Sequence, residues 1–134
     1  MSAYNTLSTV MNNQNCLAKA PRRQFTEVES FGYPADLVDY VGKVRPQKAQ
    51  VIVRRKYVGG AANDIGFVKN EKGNFDAIIS DYDTHRHGQS WLDSLAETYM
   101  EERATELMTE NDCELAERTV SASGHITLKY QVNA

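Results

Sequence analysis

Cysteine, proline and tryptophan are scarce in this chain, and no long apolar run occurs: two Cys, three Pro and one Trp stand among 134 residues. No stretch approaches the roughly 20 apolar residues that cross a bilayer, so no membrane span is expected. The opening MSAYNTLSTVMNNQN has neither a basic start nor an apolar core, and no signal peptide is expected there. Cys16 and Cys113 lie far apart and fit no CxxC spacing, so two idle thiols in a reducing cytosol are expected rather than a disulfide. Neither Cys has an adjacent His and no GxSxG elbow exists, which leaves nucleophilic catalysis without a carrier. Gly59-Gly60 is followed by no Lys-Ser/Thr and opens no helix, so it is not a nucleotide phosphate loop.

What is present describes an ordinary folded domain. The apolar fraction is 41% and a quarter of the chain is charged, which excludes a disordered tail. The length suits one domain over 1–134 with a single core. Net charge is −3, but it is unevenly placed. Nine of the fifteen basic residues lie between Lys19 and Lys56 against four acids, and nine acids lie between Asp93 and Arg118 against two bases. Such asymmetry permits an internal match, a basic surface for an acidic partner, or a self-contact.

The clearest pattern is Asp64–Asp83. Two β-rich runs, Asp64–Val68 and Phe75–Asp81, flank the polar tract KNEKGN, in which Gly73 or Asn74 supplies the positive φ that a bulged hairpin loop requires. Ile65 and Phe67, then Phe75, Ala77 and Ile79, fall on one face. Upstream, Tyr4–Val10 reads as a strand, and Asn12–Ala20 as a helix capped by Asn12 or Asn13 and disturbed by Pro21. Pro34–Val41 reads as a short helix, with Leu37, Val38 and Val41 on one face and Gly42 as its left-handed stop. Ala49–Val58 reads as a strand that turns at Gly59-Gly60 into the central hairpin, giving a three-stranded meander. Ser90 with Asp93 opens a long helix from Trp91 to about Asn111, whose stripe runs through Leu92, Leu95, Ala96, Tyr99, Ala104 and Leu107. Glu114–Val120 and His125–Val132 form a last hairpin. The fold class is therefore α+β: an antiparallel sheet, meander plus C-terminal hairpin, with one long amphipathic helix on a face and shorter N-terminal helices. Leu95, Tyr99 and Leu107 are expected to bury against Ile65, Phe67, Ile79 and Leu128.

Three features together resemble a known family. They are the Met-Ser-x-aromatic start (Met1, Ser2, Tyr4), the central motif Asp64, Ile65, Gly66, Phe67, Asn70, Gly73, Asp81, and the helix plus terminal hairpin ending on GHITLKY. The family is the conserved chloroplast open-reading-frame thirty-five group of algal plastids and cyanobacteria, a domain of unknown function with phage relatives. The resemblance covers most of residues 1–12 and 50–132, leaving Asn13–Gln50 unaligned. It implies a plastid, cyanobacterial or cyanophage origin and a cytosolic or stromal location, but no reaction or cofactor. Relatives often carry His at the third position, where this chain has Ala3.

Two constellations carry chemistry. Asp81, Asp83, His85 and His87 combine carboxylate oxygens with imidazole nitrogens, the donor set of Mn, Fe or Zn, and support an alternative reading as a metal-dependent enzyme. The same residues also fit a solvated strand-to-helix loop, and no further Glu or His completes the set. The tract Lys43–Lys56 holds Lys43, Arg45, Lys48, Arg54, Arg55 and Lys56 with no acid. Nucleic-acid binding would interleave aromatics with such bases, and only Tyr57 is near. An acidic protein surface fits better, and Lys48, Arg54, Arg55 and Lys56 are the candidate contacts. The same cations on a strand would equally guard a sheet edge from aggregation. The expectation is an interaction module rather than an enzyme, with no cofactor.

Overall fold

A computed structural model describes residues 3–133; Met1 and Ser2 of the opening motif lie outside them. Strands β1 (Tyr4–Leu7), β2 (Glu29–Val38), β3 (Val44–Val53), β4 (Ile65–Lys69) and β5 (Phe75–Ser80) form one antiparallel sheet in the order β1-β5-β4-β3-β2. Helix α1 spans Gln14–Arg22, α2 is a single turn at Arg55–Val58, and α3 is the long helix Gln89–Glu110. Strands β6 (Cys113–Val120) and β7 (Ile126–Val132) pair only with each other. The chain divides into two compact units, the first ending at Tyr99 and the second starting at Met100. No helix among the described residues is long and apolar enough to cross a membrane.

The β4–β5 hairpin forms as its alternation requires. Gly66 to Lys69 pair with Ile78 to Phe75, and Gly73 takes φ +87° in the connecting turn. Asn70 holds that turn through its side-chain oxygen, which accepts from Lys72 and Asn74 N–H. Ile65, Phe67, Phe75, Ala77 and Ile79 all enter one core with Val51 and Val53 of β3. Helix α1 covers this face with Cys16, Leu17, Ala18 and Ala20, and the first half of α3 adds Leu92, Leu95 and Tyr99. Asn13 caps α1, accepting from Cys16 N–H at 3.0 Å. Pro21 sits in the last turn rather than ending the helix before it; there its missing N–H forfeits one bond near an end that frays anyway. Phe25 and Val28 are buried in the same core.

The opposite face holds a smaller cluster of Leu37, Ala49, Ile52 and Ile78. The β2–β3 hairpin supplies Leu37, Ala49 and Ile52, and its outer half crosses toward the far strands. Asp64 N–H donates to Val38 C=O at 3.0 Å, and the Arg45 guanidinium lies 5.4 Å from the Tyr4 ring centroid. The register of β2 against β3 shifts between Ser30 and Ala35, where residues 31–34 bulge opposite Gln50. The crossing is close enough that a Cβ on Gly66 would sit 2.7 Å from Ala49 Cβ and 2.9 Å from Leu37 Cδ2.

Four expectations are corrected. Pro34–Val41 is not a helix: residues through Val38 belong to β2, and Asp39–Gly42 turn the hairpin. Asp39 makes the turn, its carboxylate accepting from Val41 and Lys43 N–H at 3.1 and 2.9 Å, and Gly42 takes φ +85° inside it. The left-handed glycine is where the sequence placed it, but it closes a hairpin. Second, the strand read at Ala49–Val58 begins earlier, at Val44, and ends at Val53; Arg55–Val58 is the one-turn helix α2. Third, β7 does not join the large sheet, although Ile126, Leu128 and Tyr130 alternate with exposed neighbours as expected. Fourth, Leu107 is 41% exposed, so it is not a core residue. Ser90 lies inside α3, which starts one residue before it.

Candidate functional site

The first compact unit carries a buried polar core, and this core builds the candidate site. Asp64 is 1% exposed. Its Oδ2 accepts from Val38 N–H at 2.7 Å and from Arg54 Nη1 at 2.9 Å, and its Oδ1 accepts from Arg55 N–H at 2.7 Å. Tyr4 donates its hydroxyl to the Asp64 carbonyl at 2.9 Å; burial first, and then the Asp64 charge, push that phenol well above its ordinary value. The Asp64 carboxylate thus joins β2, the end of β3 and α2, while its backbone carbonyl holds β1, and the carboxylate explains why the chain leaves the strand at Arg54. The Asp64 side chain captures the first N–H of α2, and Arg54 is drawn back to the same carboxylate and to Glu29.

Asn63 works beside it. Its Oδ1 accepts from Tyr40 N–H at 2.9 Å, its own N–H reaches Asp83 Oδ2 at 2.9 Å, and its Nδ2 donates to Ser80 Oγ at 2.8 Å. Ser80 also donates to Asp83 Oδ2 at 2.7 Å. Asp83 Oδ2 is therefore engaged inside the fold. Asp83 and His87 are buried, Asp81 and His85 are exposed, and the Asp-x-Asp-x-His-x-His run lies in a turn and a short 3-10 segment, Asp83–His85. Among the described residues no group of three or more His, Cys, Asp or Glu is placed to hold a metal ion. The strand needed to align all four stops at Ser80.

The basic tract behaves differently. Lys48, Arg54, Arg55 and Lys56 all line one open depression of about 1040 Å³, with Phe31, Tyr33 and Pro34 of the β2 bulge on the other side and Gly59-Gly60 at its end. Their charges are not equally available. Lys48 is ion-paired with Asp36, and Arg54 is held by Glu29 and Asp64. Burial alone would favour loss of the Arg54 proton, but those two carboxylates outweigh it and hold the charge. Arg55 donates to Tyr40 C=O at 3.0 Å, and Lys56 Nζ lies 4.9 Å from the Tyr57 ring centroid; neither is ion-paired among the described residues. Phe31 and Tyr33 sit with ring centroids 5.5 Å apart, and Tyr33 is 63% exposed. Lys48 lies on β3, between β2 and β4, and Arg54, Arg55 and Lys56 lie beyond its end at Val53, so none of these cations sits on an edge strand.

Sequence reasoning found the four cations and missed the aromatic wall. Phe31, Tyr33 and Pro34 reach the site only because β2 pairs with β3 around a bulge, a long-range event. The one local signal was a Pro preceded by two aromatic residues, Phe31 and Tyr33. Trp91 anchors the core: its ring is 5.1 Å from His87 and 6.2 Å from Phe25, and its Nε1 donates to Gln24 at 2.8 Å.

Residues 27–129 match a family model described as Protein of unknown function (DUF1257). That span includes 27–49, which the resemblance drawn from sequence could not align. No curated protein and no solved structure matches the chain.

Proposed function

Since the chain belongs to the DUF1257 family of proteins of unknown function, we propose its role from the geometry: a non-catalytic interaction domain that takes an acidic protein segment carrying an apolar side chain. The observation that carries this reading is the pairing of Arg55 and Lys56, without carboxylate partners, with the aromatic wall of half-buried Phe31 and exposed Tyr33 across one depression. Arg55 and Lys56 supply salt-sensitive steering and register; Tyr33 and Phe31 supply area for an apolar anchor. Arg54 has a positioning part, because its ion pairs fix the end of β3 from which α2 starts. A volume near the top of the small-molecule range, open to solvent, suits a chain segment better than an enclosed metabolite. The finer identity, a plastid, cyanobacterial or cyanophage protein of the open-reading-frame thirty-five group acting in the stroma or cytosol, is part of this proposal and rests on the sequence resemblance.

A second reading is favoured by the same aromatic pair, since two adjacent rings beside cations also suit single-stranded nucleic acid. Asp36 and Asp64 in the lining and the net charge of −3 weigh against a polyanion. The test is a binding comparison between wild type and the Arg55→Glu/Lys56→Glu variant. Acidic peptides bearing one aromatic residue and single-stranded oligonucleotides serve as ligands, at low and at physiological salt. Salt-sensitive peptide binding lost in the variant supports the proposal; tighter binding of the oligonucleotide replaces it with the second reading; no binding of either ligand removes both.

A further inference from the structure

The cations of the depression have a counterpart of opposite sign on the same chain. Arg55 and Lys56 line the depression beside Phe31 and Tyr33 in the first compact unit. In the second unit, residues 107–117 hold four acids and no base. Glu117 is paired with Lys129, and Glu114 accepts from Gln131. Glu110 and Asp112 are exposed and have no ion pair among the described residues.

These acids stand where a single chain gains least from them. Helix α3 ends at Glu110 with no basic residue in its last turn, although the carbonyls of a helix C-terminus favour a cation there. The turn that follows is tight. Asn111 and Asp112 N–H both reach back, to Met108 and Thr109 C=O, at 3.1 Å, and Asp112 takes φ +57°. Two apolar side chains lie open beside the acids, Leu107 and Met108. Leu107 and Glu110 are three residues apart on the helix and so share a face. A methionine thioether packs adaptably against aromatic rings, which is what Phe31 and Tyr33 offer. The α3 end is therefore an acidic segment carrying apolar side chains, with two unpaired carboxylates for the two cations of the depression.

We propose that the segment taken by the depression is this one, from a second copy of the chain. Residues 107–112 of one molecule dock in the depression of another, Glu110 and Asp112 meeting Arg55 and Lys56, and Leu107 and Met108 packing on Phe31 and Tyr33. The inference rests on the acidic-segment reading of the depression and names its partner. The contact is head-to-tail: a bound pair still offers one depression and one α3 end, so assembly continues beyond the pair or closes into a ring.

The test is sedimentation velocity of the full chain over a range of concentrations, at low and at physiological salt, with two variants. Arg55→Glu/Lys56→Glu removes the depression's charge. Glu110→Lys/Asp112→Asn removes that of the α3 end, and Asn keeps the left-handed conformation accessible at 112. Wild type should associate with rising concentration, more strongly at low salt, and each variant alone should sediment as a monomer. An equimolar mixture of the two should restore a complex of two chains and no more, because one variant brings an intact α3 end and the other an intact depression. That recovery also shows both variants to be folded. Met108→Ala should weaken wild-type association about tenfold, as loss of an interface anchor does. A wild type that stays monomeric at low salt, or a mixture of variants that stays monomeric, overturns the proposal. Binding of the acidic peptide to such a monomeric chain would leave the site standing with another partner, whereas failure of peptide binding removes the site itself.

Discussion

The hydroxyl of Tyr99, on α3, accepts the backbone N–H groups of Asn12 and Asn13 at 3.2 and 3.0 Å. The ring is 3% exposed, so one side chain both fills the core and fixes the segment from which α1 starts. Tyr99→Phe leaves the ring and strands two N–H groups; about 1–2 kcal/mol of stability should be lost. Tyr99→Ala adds a cavity and should cost on the order of 3 kcal/mol. Denaturant unfolding checks both, and Leu107→Ala, at an exposed position, should change little.

Gly66 faces Ala49 and Leu37 across the second cluster. A Cβ placed there would meet the Ala49 Cβ at 2.7 Å, well inside contact, and both neighbours are fully buried. Gly66→Ala should therefore destabilise by roughly 1–3 kcal/mol, the usual cost of overpacking. The same unfolding measurement applies, and an unchanged midpoint would show that the β2–β3 hairpin does not press on this strand.

The central hairpin was legible in the sequence because its information is local: alternation on both strands, and a glycine where the turn needs positive φ. The last hairpin was legible for the same reason. Pro34–Val41 was misread because Leu37, Val38 and Val41 have helical spacing; Val41 is in fact 66% exposed, and the partner strand that makes this segment extended lies beyond the turn. Arg54–Lys56 was misread as strand because the group that ends it, the Asp64 carboxylate, comes ten residues after Arg54. Of the candidate site, the cations were visible in composition, and the aromatic wall was not, because pairing across a bulge brings it there.

Asp64→Ala should be among the most damaging single changes. It leaves Arg54 beside Glu29 alone and strands the N–H groups of Val38 and Arg55. Removing one partner from a buried charge pair costs about 3–5 kcal/mol, and a loss in that range is expected on unfolding, together with loss of the α2 turn by amide exchange.

Acid should weaken the fold in two separate windows. Burial first, with the Arg86 charge adding and Asp83 partly opposing, holds His87 below its ordinary 6.5. The unfolded chain then takes up the proton that the folded one resists, so stability is complete above 6.5 and falls as pH drops through the folded value. At Asp39 burial raises the carboxyl's value, but the Lys43 and Val41 N–H groups and Arg45 outweigh it, and the group ends below 3.8. Its contribution persists above that pH and is lost as pH falls through the lower folded value. His87→Phe should abolish the first window and leave the second, as read from melting temperature against pH.

The account rests on Arg55, Lys56 and the Phe31–Tyr33 wall acting as one acidic-segment site, and the most direct measurement is where such a segment touches the protein. An amide chemical-shift map of the chain, titrated at low salt with an acidic peptide bearing one aromatic residue, should concentrate its changes at Phe31–Asp36 and Arg54–Gly60. Those changes should fade at physiological salt and be absent in Arg55→Glu/Lys56→Glu, whose spectrum should otherwise remain folded. Shifts scattered over other surfaces, or the same map in the folded double variant, would contradict the account.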